Sequence, residues 1–215
     1  MTKSLTYLVI IGLTILYGCS PSGTDVPNCE ITFCENNGVL QDCECICEEG
    51  YSGPNCERLD PAFAQKFLDD GLTPFELLDA NIPLDSVYGK QYQDGLIFHL
   101  NSTDLIVKVI VPSSLEQDLR WPNAIDYAEN LVTQNYSDWH LPSVQELQEI
   151  RTLLYQKLDI GGFNDDYYWS SETVPNSPND AYGVYFPNGN VGPIEKDRQN
   201  GVSLNFVRPV RQIQL

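Results

Sequence analysis

Cysteine, histidine and basic residues are each scarce in most of this chain. All seven cysteines lie at or before Cys56, and the only histidines are His99 and His140. The 12 lysines and arginines face 30 aspartates and glutamates, which gives a formal net charge of −18. Such a surface repels phosphate groups, so the composition excludes nucleic acid as a partner. It favours solubility and suits cationic partners or divalent ions.

The residue patterns that catalysis usually requires are also missing from the sequence. The segment after Cys56 has no Gly-x-Ser-x-Gly nucleophile motif, no phosphate-binding glycine loop and no cysteine. His99 and His140 lie far apart, and neither belongs to a motif with the spacing of metal ligands. The sequence therefore predicts a protein that is not an enzyme. A pocket with either histidine beside paired carboxylates would favour an enzyme of unknown type instead.

The apolar run near the start of the chain is too short to span a bilayer comfortably. Lys3 is followed by about fourteen largely apolar residues, a length typical of the core of a signal peptide. The run ends in Leu16-Tyr17-Gly18-Cys19 before a polar stretch, a pattern that resembles a bacterial lipobox. The resemblance implies that residues 1–18 are a lipoprotein signal peptide, that Cys19 is lipidated, and that residues 19–27 form a tether.

Lipidation predicts where the protein resides. Several acyl chains anchor a protein stably, so we expect an outer-membrane lipoprotein of the bacterial cell envelope, exposed at the surface. The alternative is an uncleaved or secreted form in which Cys19 is a spare thiol. Removing Cys19 from the count leaves an even six cysteines, which favours lipidation.

The six cysteines from Cys29 to Cys56 predict a small disulfide-rich module. A segment this short cannot build an adequate hydrophobic core, so disulfide bonds replace one. Its closing stretch, Cys47-x8-Cys56 with a Gly-Tyr-Ser-Gly sequence inside, resembles the end of an EGF-like domain. The resemblance places an EGF-like module at residues 28–58, as a rigid spacer or as a specific protein contact. It implies the bonds Cys29–Cys43, Cys34–Cys45 and Cys47–Cys56.

Residues 59–86 predict two short helices rather than a flexible linker. Phe63, Phe67 and Leu68 lie on one face of the first helix, which should end near Gly71. The sequence Thr73-Pro74-Phe75-Glu76 is a capping box with proline at the first helical position. Because both helices have apolar faces, we expect this connector to dock on the domain that follows.

Residues 87–215 predict a domain of strands, two helices and further strands. Trp121 and Ser143 begin the two helices, and a capping box of Ser143 and Glu146 marks the second. Trp139 and Leu141, just upstream, are expected in the core. The predicted strands are 95–100, 104–111, 167–171, 181–186 and 206–213, with a hairpin turn at 187–190. This order indicates an α+β fold rather than alternating βαβ units.

Four ordered blocks in this domain resemble the Lcl C-terminal domain family. The blocks are Tyr88-Gly89-Lys90-x-Tyr92-x2-Gly95-Leu96-Ile97-Phe98; Trp121-x2-Ala124; Asp138-Trp139-His140-Leu141-Pro142; and Tyr168-Trp169-Ser170-Ser171-Glu172 leading to Phe206-Val207-Arg208-Pro209-Val210-Arg211. The resemblance implies a C-type-lectin-like fold and a role in adhesion or ligand recognition. The adhesin that names the family is thought to bind sulfated polysaccharide through a basic surface. Residues 88–215 have 9 Lys and Arg against 16 Asp and Glu, a net of −7, which does not favour that ligand.

Polar loops in the second half of the domain predict the binding surface, because C-type-lectin-like domains commonly bind ligands there. Tyrosine faces can stack on sugar rings, and oxygen-rich loops could hold calcium, although no cofactor is required. Convergence of loop 164–168 and segment 195–198 on one concave surface would support a site for an extracellular carbohydrate or protein. A structural scaffold role in the envelope is the main alternative. The predicted ligand-binding residues are Asn164, Asp165, Asp166, Tyr167, Asp180, Asn188, Asn190, Glu195, Asp197 and Arg198.

Overall fold

The computed structural model describes residues 30–197 and 204–215. The predicted signal peptide, the tether with Cys19, Cys29 and the predicted ligand residue Arg198 lie outside these ranges. Within the described ranges, no helix is long and apolar enough to cross a membrane.

The disulfide-rich module consists of two short antiparallel hairpins. Its strands are β1 (Val39–Gln41), β2 (Glu44–Ile46), β3 (Tyr51–Ser52) and β4 (Arg58–Leu59). β1 pairs with β2, and β3 pairs with β4. Most of its side chains are exposed, so hydrogen bonds and disulfide bonds hold it together in place of a core.

Two of the three implied disulfide bonds lie within the described residues. Cys34 is bonded to Cys45, and Cys47 is bonded to Cys56. Cys43 also forms a disulfide bond, and its predicted partner Cys29 lies outside the described residues. The bonds Cys34–Cys45 and Cys47–Cys56 therefore agree with the pairing that the resemblance to an EGF-like domain implies.

The connector contains a 3-10 turn (Pro61–Phe63) and three short α-helices: α1 (Ala64–Asp69), α2 (Pro74–Asp79) and α3 (Leu84–Val87). The predicted capping box starts α2, since Thr73 Oγ1 accepts from Glu76 N–H and the Glu76 carboxylate accepts from Thr73 N–H at 2.7 Å. The predictions of α1 and α2 are confirmed. α3 was not predicted, and it begins directly after Pro83, whose extended backbone serves as its N-cap.

The connector docks on the C-terminal domain, as its apolar faces predicted. Phe67, Leu77 and Val87 are fully buried in one cluster with Ile97 and Val109 of the domain. On the other side, the ring of Tyr51 in the disulfide-rich module meets the Phe67 ring edge-on at 5.3 Å between centroids. One aromatic side chain thus joins the module, the connector and the domain core.

The C-terminal domain contains two sheets. Its strands are β5 (Gln91–Tyr92), β6 (Gly95–Asn101), β7 (Ile106–Ile110), β8 (Gln117–Leu119), β9 (Tyr167–Thr173), β10 (Asp180–Tyr185), β11 (Val191–Glu195), β12 (Asn205–Val207) and β13 (Val210–Gln214). The first sheet has the order β13-β7-β6-β5 and the second β11-β10-β9-β12-β8. Among the described strands, β9 and β12 pair in parallel and the other neighbours are antiparallel.

The final segment of the chain differs from its prediction. A single strand was expected over 206–213, but the chain changes sheets at Arg208-Pro209. β12 pairs with β8 and β9, whereas β13 pairs with β7. Proline has no N–H for a ladder, and the Arg208 side chain turns into the interior, so the strand cannot continue in one sheet.

The two predicted helices are present. α4 spans Trp121–Asn130, and α5 spans Val144–Ile150 and continues as a π-helical segment, Arg151–Lys157. The predicted capping box of Ser143 and Glu146 starts α5. Trp139 and Leu141 are buried, with exposures of 3% and 2%. The opening of α5 is therefore anchored by side chains in the core.

α5 packs against both sheets and closes the core between them. Leu147, Ile150 and Leu154 are fully buried in one cluster with Phe98 of the first sheet and Tyr168 of the second. Spacing by i, i+3 and i+7 places these three on the inner face. The opposite, polar face of α5 is therefore left toward solvent beside β6.

The docking of the connector can be tested with two phenylalanines. Phe67→Ala should lower the free energy of unfolding by about 3–5 kcal/mol, since Phe67 is fully buried. Phe33→Ala is the matched control, because Phe33 is 60% exposed, and it should change stability by less than about 0.5 kcal/mol. Chemical denaturation of the C-terminal domain measures both. Equal effects of the two variants would contradict the docking.

Candidate functional site

The predicted ligand-binding residues lie at opposite ends of the second sheet. Tyr185 of β10 pairs with Tyr167, and Val184 pairs with Val191 at the turn containing Asn188 and Asn190. At the far end of β10, Asp180 pairs with Glu195. Since β10 has six residues, these ends are separated by roughly 16 Å at 3.3 Å per residue.

The first group surrounds the start of β9. Asp165 accepts a hydrogen bond of 2.6 Å from the hydroxyl of Tyr155, and it lines a cavity beside Phe163 and Gly162. Asp166 accepts from the backbone N–H of Tyr167, whose ring lies 4.9 Å from that of Tyr185. The side chains of Asp165 and Asp166 thus already have hydrogen-bond partners, one on the helical segment after α5 and one in the loop itself.

The neighbouring turn also uses its polar side chains locally. Asn188 Oδ1 accepts from the backbone N–H of Asn190 at 2.9 Å, which closes the predicted hairpin turn. Gly189 between them has φ +77°, and a Cβ there would come within 2.8 Å of Arg151 Nη1. The turn therefore requires glycine at this position.

The second group lies near the start of α4. Asp197 Oδ1 accepts a hydrogen bond of 2.8 Å from Arg120. Asp180 accepts from the hydroxyl of Ser177. Glu195 and Asp197 line a cavity with Pro178, Asn179 and Lys196 that is separate from the one beside Asp165.

Loop 164–168 and segment 195–197 therefore do not converge on one concave surface, the arrangement that would have supported a common site. Antiparallel pairing explains this, because β9 begins where β11 begins and Glu195 is at the other end of β11. Binding by either group alone stays a prediction. Within residues 30–197 and 204–215, no group of three or more His, Cys, Asp or Glu side chains could hold a metal ion.

Asn164 belongs to a hydrogen-bonded network under the loop. The hydroxyl of the fully buried Tyr168 donates to Glu116 Oε2 at 2.6 Å and accepts from Asn164 N–H at 2.8 Å. The Asn164 side-chain amide donates to Glu116 Oε1. Burial and the bond to Glu116 raise the pKa of Tyr168 far above its usual value, so its hydroxyl stays a donor. The network fixes the loop to the sheet.

Arg208 is fully buried and stabilises the backbone just before the Asn164 loop. Its Nε and Nη2 donate to Val111 O at 3.1 and 2.6 Å, and its Nη1 donates to Gly161 O at 2.7 Å. Glu116 Oε2 lies 4.0 Å from Arg208 Nε, and the centre of the Phe163 ring lies 4.1 Å from the guanidinium carbon. Burial lowers the pKa of Arg208 to about 10, so it remains charged at neutral pH.

Arg211, the second arginine of this block, clamps the hairpin turn between β5 and β6. Its Nη1 and Nη2 donate to Gln93 O and Oε1 at 3.0 and 2.8 Å, and the guanidinium stacks 3.6 Å above the Tyr136 ring. Its Nε lies 2.6 Å from Asp138 Oδ1, but the N–H is not directed at that oxygen, so the contact is electrostatic. Gln93 has φ +45°, and these bonds hold that left-handed conformation.

Glu146 is a buried carboxylate at the start of α5. It accepts from Lys108 at 2.9 Å and from Ser143 N–H at 2.9 Å, and His140 Nε2 lies 3.9 Å away. Burial opposes the charged form, but the interactions with His140, Ser143 and Lys108 outweigh it and hold the pKa of Glu146 well below its usual value. This carboxylate therefore locks α5 to β7.

An open groove between β6 and α5, of about 400 Å³, was not predicted from the sequence. His99 on β6 faces Glu149 on α5 across it, with 3.2 Å between Nδ1 and Oε2. Glu149 Oε1 also accepts from the Gln145 amide at 3.2 Å. We call this the β6–α5 groove; it is lined by Tyr88, Phe98, His99, Gln145, Gln148, Glu149, Thr152 and Leu153.

The sequence carries only a weak signal for this groove. Gln145, Gln148, Glu149 and Thr152 recur at helical spacing, and such a polar stripe is usually a solvated face. His99 lies 50 residues before Glu149 and belongs to no motif that would link the two. The pair becomes visible only when α5 packs across β6.

The structure thus defines a mixed helix-and-sheet domain, with two buried arginines at a sheet crossing, preceded by a disulfide-rich module. Residues 94–211, just over half of the chain, match the Lcl C-terminal domain family. The chain belongs to this family, as its four sequence blocks predicted. The comparison with curated proteins gives no match.

The role of Arg208 can be tested by a charge-conserving substitution. Arg208→Lys should lower the free energy of unfolding by about 3 kcal/mol or more, because one ammonium cannot reach Val111 O and Gly161 O as the guanidinium fork does. Arg120→Lys, at an exposed ion pair, should cost less than about 1 kcal/mol. Thermal and denaturant unfolding measure both, and similar costs would refute a structural role for Arg208.

The low pKa of Glu146 predicts how stability depends on pH. The unfolded carboxyl has a pKa near 4.5, so its contribution is complete above that pH and is lost on further acidification. Between pH 7 and pH 3, the free energy of unfolding of the wild type should therefore fall by about 2 kcal/mol more than that of Glu146→Gln. Glu129→Gln, on the exposed side of α4, should behave as wild type. Parallel curves for all three proteins would show that Glu146 is not stabilised in its charged form.

Proposed function

We propose that this chain is a lipid-anchored protein of the bacterial cell envelope that recognises a carbohydrate or protein ligand at the cell surface, without catalysis. In this proposal, Cys19 is the lipidated residue, residues 28–58 are an EGF-like stalk, and residues 87–215 are a C-type-lectin-like binding domain. The lipobox-like sequence, the cysteine spacing and the family membership support it.

The observation that carries the proposal is the β6–α5 groove. It combines an apolar floor with imidazole, carboxylate and amide groups, the composition of small-molecule and side-chain recognition sites. Its walls are a strand in the middle of a sheet and a helix capped by Ser143 and Glu146, so its shape is set before a ligand arrives.

The attachment of the disulfide-rich module to the C-terminal domain also supports the proposal that the module is a stalk for the binding domain. Tyr51 packs on Phe67, and the backbone N–H of Asp60 donates to Gly50 O at 2.8 Å. A Cβ at Gly50 would come within 3.2 Å of the Phe67 ring, so the backbone of the module approaches α1 closely. A lipid anchor followed by such a stalk would hold the binding domain away from the membrane.

The chemistry of the groove favours binding over catalysis. His99 lies beside one carboxylate, Glu149, whereas a histidine beside paired carboxylates would favour an enzyme. Glycoside hydrolysis, the reaction that a sugar-binding groove would most readily support, generally uses two carboxylates on either side of the bond. Among the described residues that line the groove, Glu149 is the only one.

The proposal is tested by attachment and by ligand capture. Residues 20–215, exported so that the disulfides form, contain every described residue and should retain ligands on a glycan array or in pull-downs from target surfaces. Deletion of the gene should reduce attachment and leave the envelope intact. Loss of envelope integrity on deletion, with no ligand retained, would instead establish a scaffold role.

A further inference from the structure

We infer that the β6–α5 groove binds a neutral saccharide through one or two sugar units. This inference rests on the proposed function and names the ligand class for it. The ligand would lie between β6 and α5, the helix that packs on both sheets, and away from the polar loops at the ends of the second sheet.

The size of the groove suits such a ligand. Its volume of about 400 Å³ lies at the lower end of the range of pockets that enclose small molecules. The groove is open along one side, so a longer chain could continue beyond the bound units.

The floor of the groove is apolar. Its accessible apolar surface comes from Leu153 and Tyr88, which are both partly exposed, whereas Phe98 also lines the groove but is only 2% exposed. A sugar ring has a face of C–H groups that packs on aromatic and aliphatic surfaces of this kind. Hydroxyl groups at the edge of the same ring would then point toward the walls.

The walls carry hydrogen-bonding groups suited to hydroxyls. A carboxylate can only accept, so a hydrogen bond from His99 to Glu149 across the 3.2 Å between Nδ1 and Oε2 assigns a proton to His99 Nδ1. His99 Nε2 has no hydrogen-bond partner among the described residues. Glu149 uses one lone pair on each oxygen, for His99 and for Gln145, and keeps further acceptor capacity. The side chains of Gln148 and Thr152 are exposed on the same helical face.

The carboxylate of Glu149 disfavours acidic sugars in the groove. Burial raises the pKa of Tyr88, and the charges of Glu149 and Asp85 add to that shift, although Asp85 is paired with Lys157 at 2.6 Å. A sulfate or uronate group here would meet this potential without a lysine or arginine among the lining residues. Neutral hydroxyl groups can donate to the same carboxylate without that penalty.

A basic side chain of a protein partner is the competing ligand class. An ammonium group could pair with Glu149, but it would use a single point of the groove. The amides of Gln145 and Gln148, the Thr152 hydroxyl and the imidazole would then have no polar contact to make. The number of separate donors and acceptors around one apolar floor favours a ligand with several hydroxyl groups.

The inference is tested by titrating residues 20–215 with methyl glycosides of glucose, galactose, mannose and N-acetylglucosamine, followed by isothermal calorimetry or ligand-observed NMR. At least one neutral glycoside should bind. Glu149→Gln should weaken it tenfold or more, because a charged acceptor is lost. Thr152→Trp, which fills the groove from an exposed position, should abolish binding. Glu129→Gln changes the net charge equally on another face and should leave the affinity unchanged.

Several outcomes would overturn the inference. Equal affinities for Glu149→Gln and Glu129→Gln, or undiminished binding to Thr152→Trp, would place the site elsewhere. Binding of an acetyl-lysine-amide probe with a free ammonium group, in place of any glycoside, would assign the groove to a basic partner. If the array or pull-downs retain a ligand but all glycosides fail, the saccharide assignment fails while the proposed function stands. If nothing is retained in any of these experiments, the proposed function fails as well.

Discussion

The buried guanidinium of Arg208 is the interaction on which the C-terminal domain depends. It lies where the chain leaves the second sheet for the first, and it bonds to Val111 at the end of the first sheet and to Gly161 after α5. A charge buried this deeply would be strongly destabilising without such acceptors. The arginine therefore specifies one arrangement of two sheets and the loop that follows the helix.

This arrangement determines where a ligand could bind. With the loop after α5 fixed by Arg208, Tyr168 and Glu116, the helix itself is fixed at its other end by the Ser143–Glu146 box and Lys108. The polar face of α5 is then held beside β6, and the β6–α5 groove is formed by rigid elements. The polar loops, by contrast, already use most of their polar side chains in hydrogen bonds within the protein.

Much of the fold could be predicted from local sequence, because its signals are local. Both capping boxes, the docking of Phe67 and the burial of Trp139 follow from patterns within a few residues. The break at Arg208-Pro209 has one local signal, a proline inside the predicted strand, which the prediction of a single strand over 206–213 did not use. The burial of Arg208 at that break depends on contacts with Val111 and Gly161, far away in the sequence. The groove depends on His99 meeting Glu149, a contact between distant residues. The sheet register that separates Asp166 from Glu195 is likewise a property of pairing and leaves no mark in either loop.

In this proposal the groove, and not the loops at the sheet ends, is the ligand site. Two-dimensional amide NMR of residues 20–215 during titration with the methyl glycosides distinguishes the two positions. Binding in the groove should shift the amide signals of Tyr88, His99 and Glu149 and of their neighbours on α5. Shifts confined to residues 164–167 or 195–197, with the groove unchanged, would contradict it.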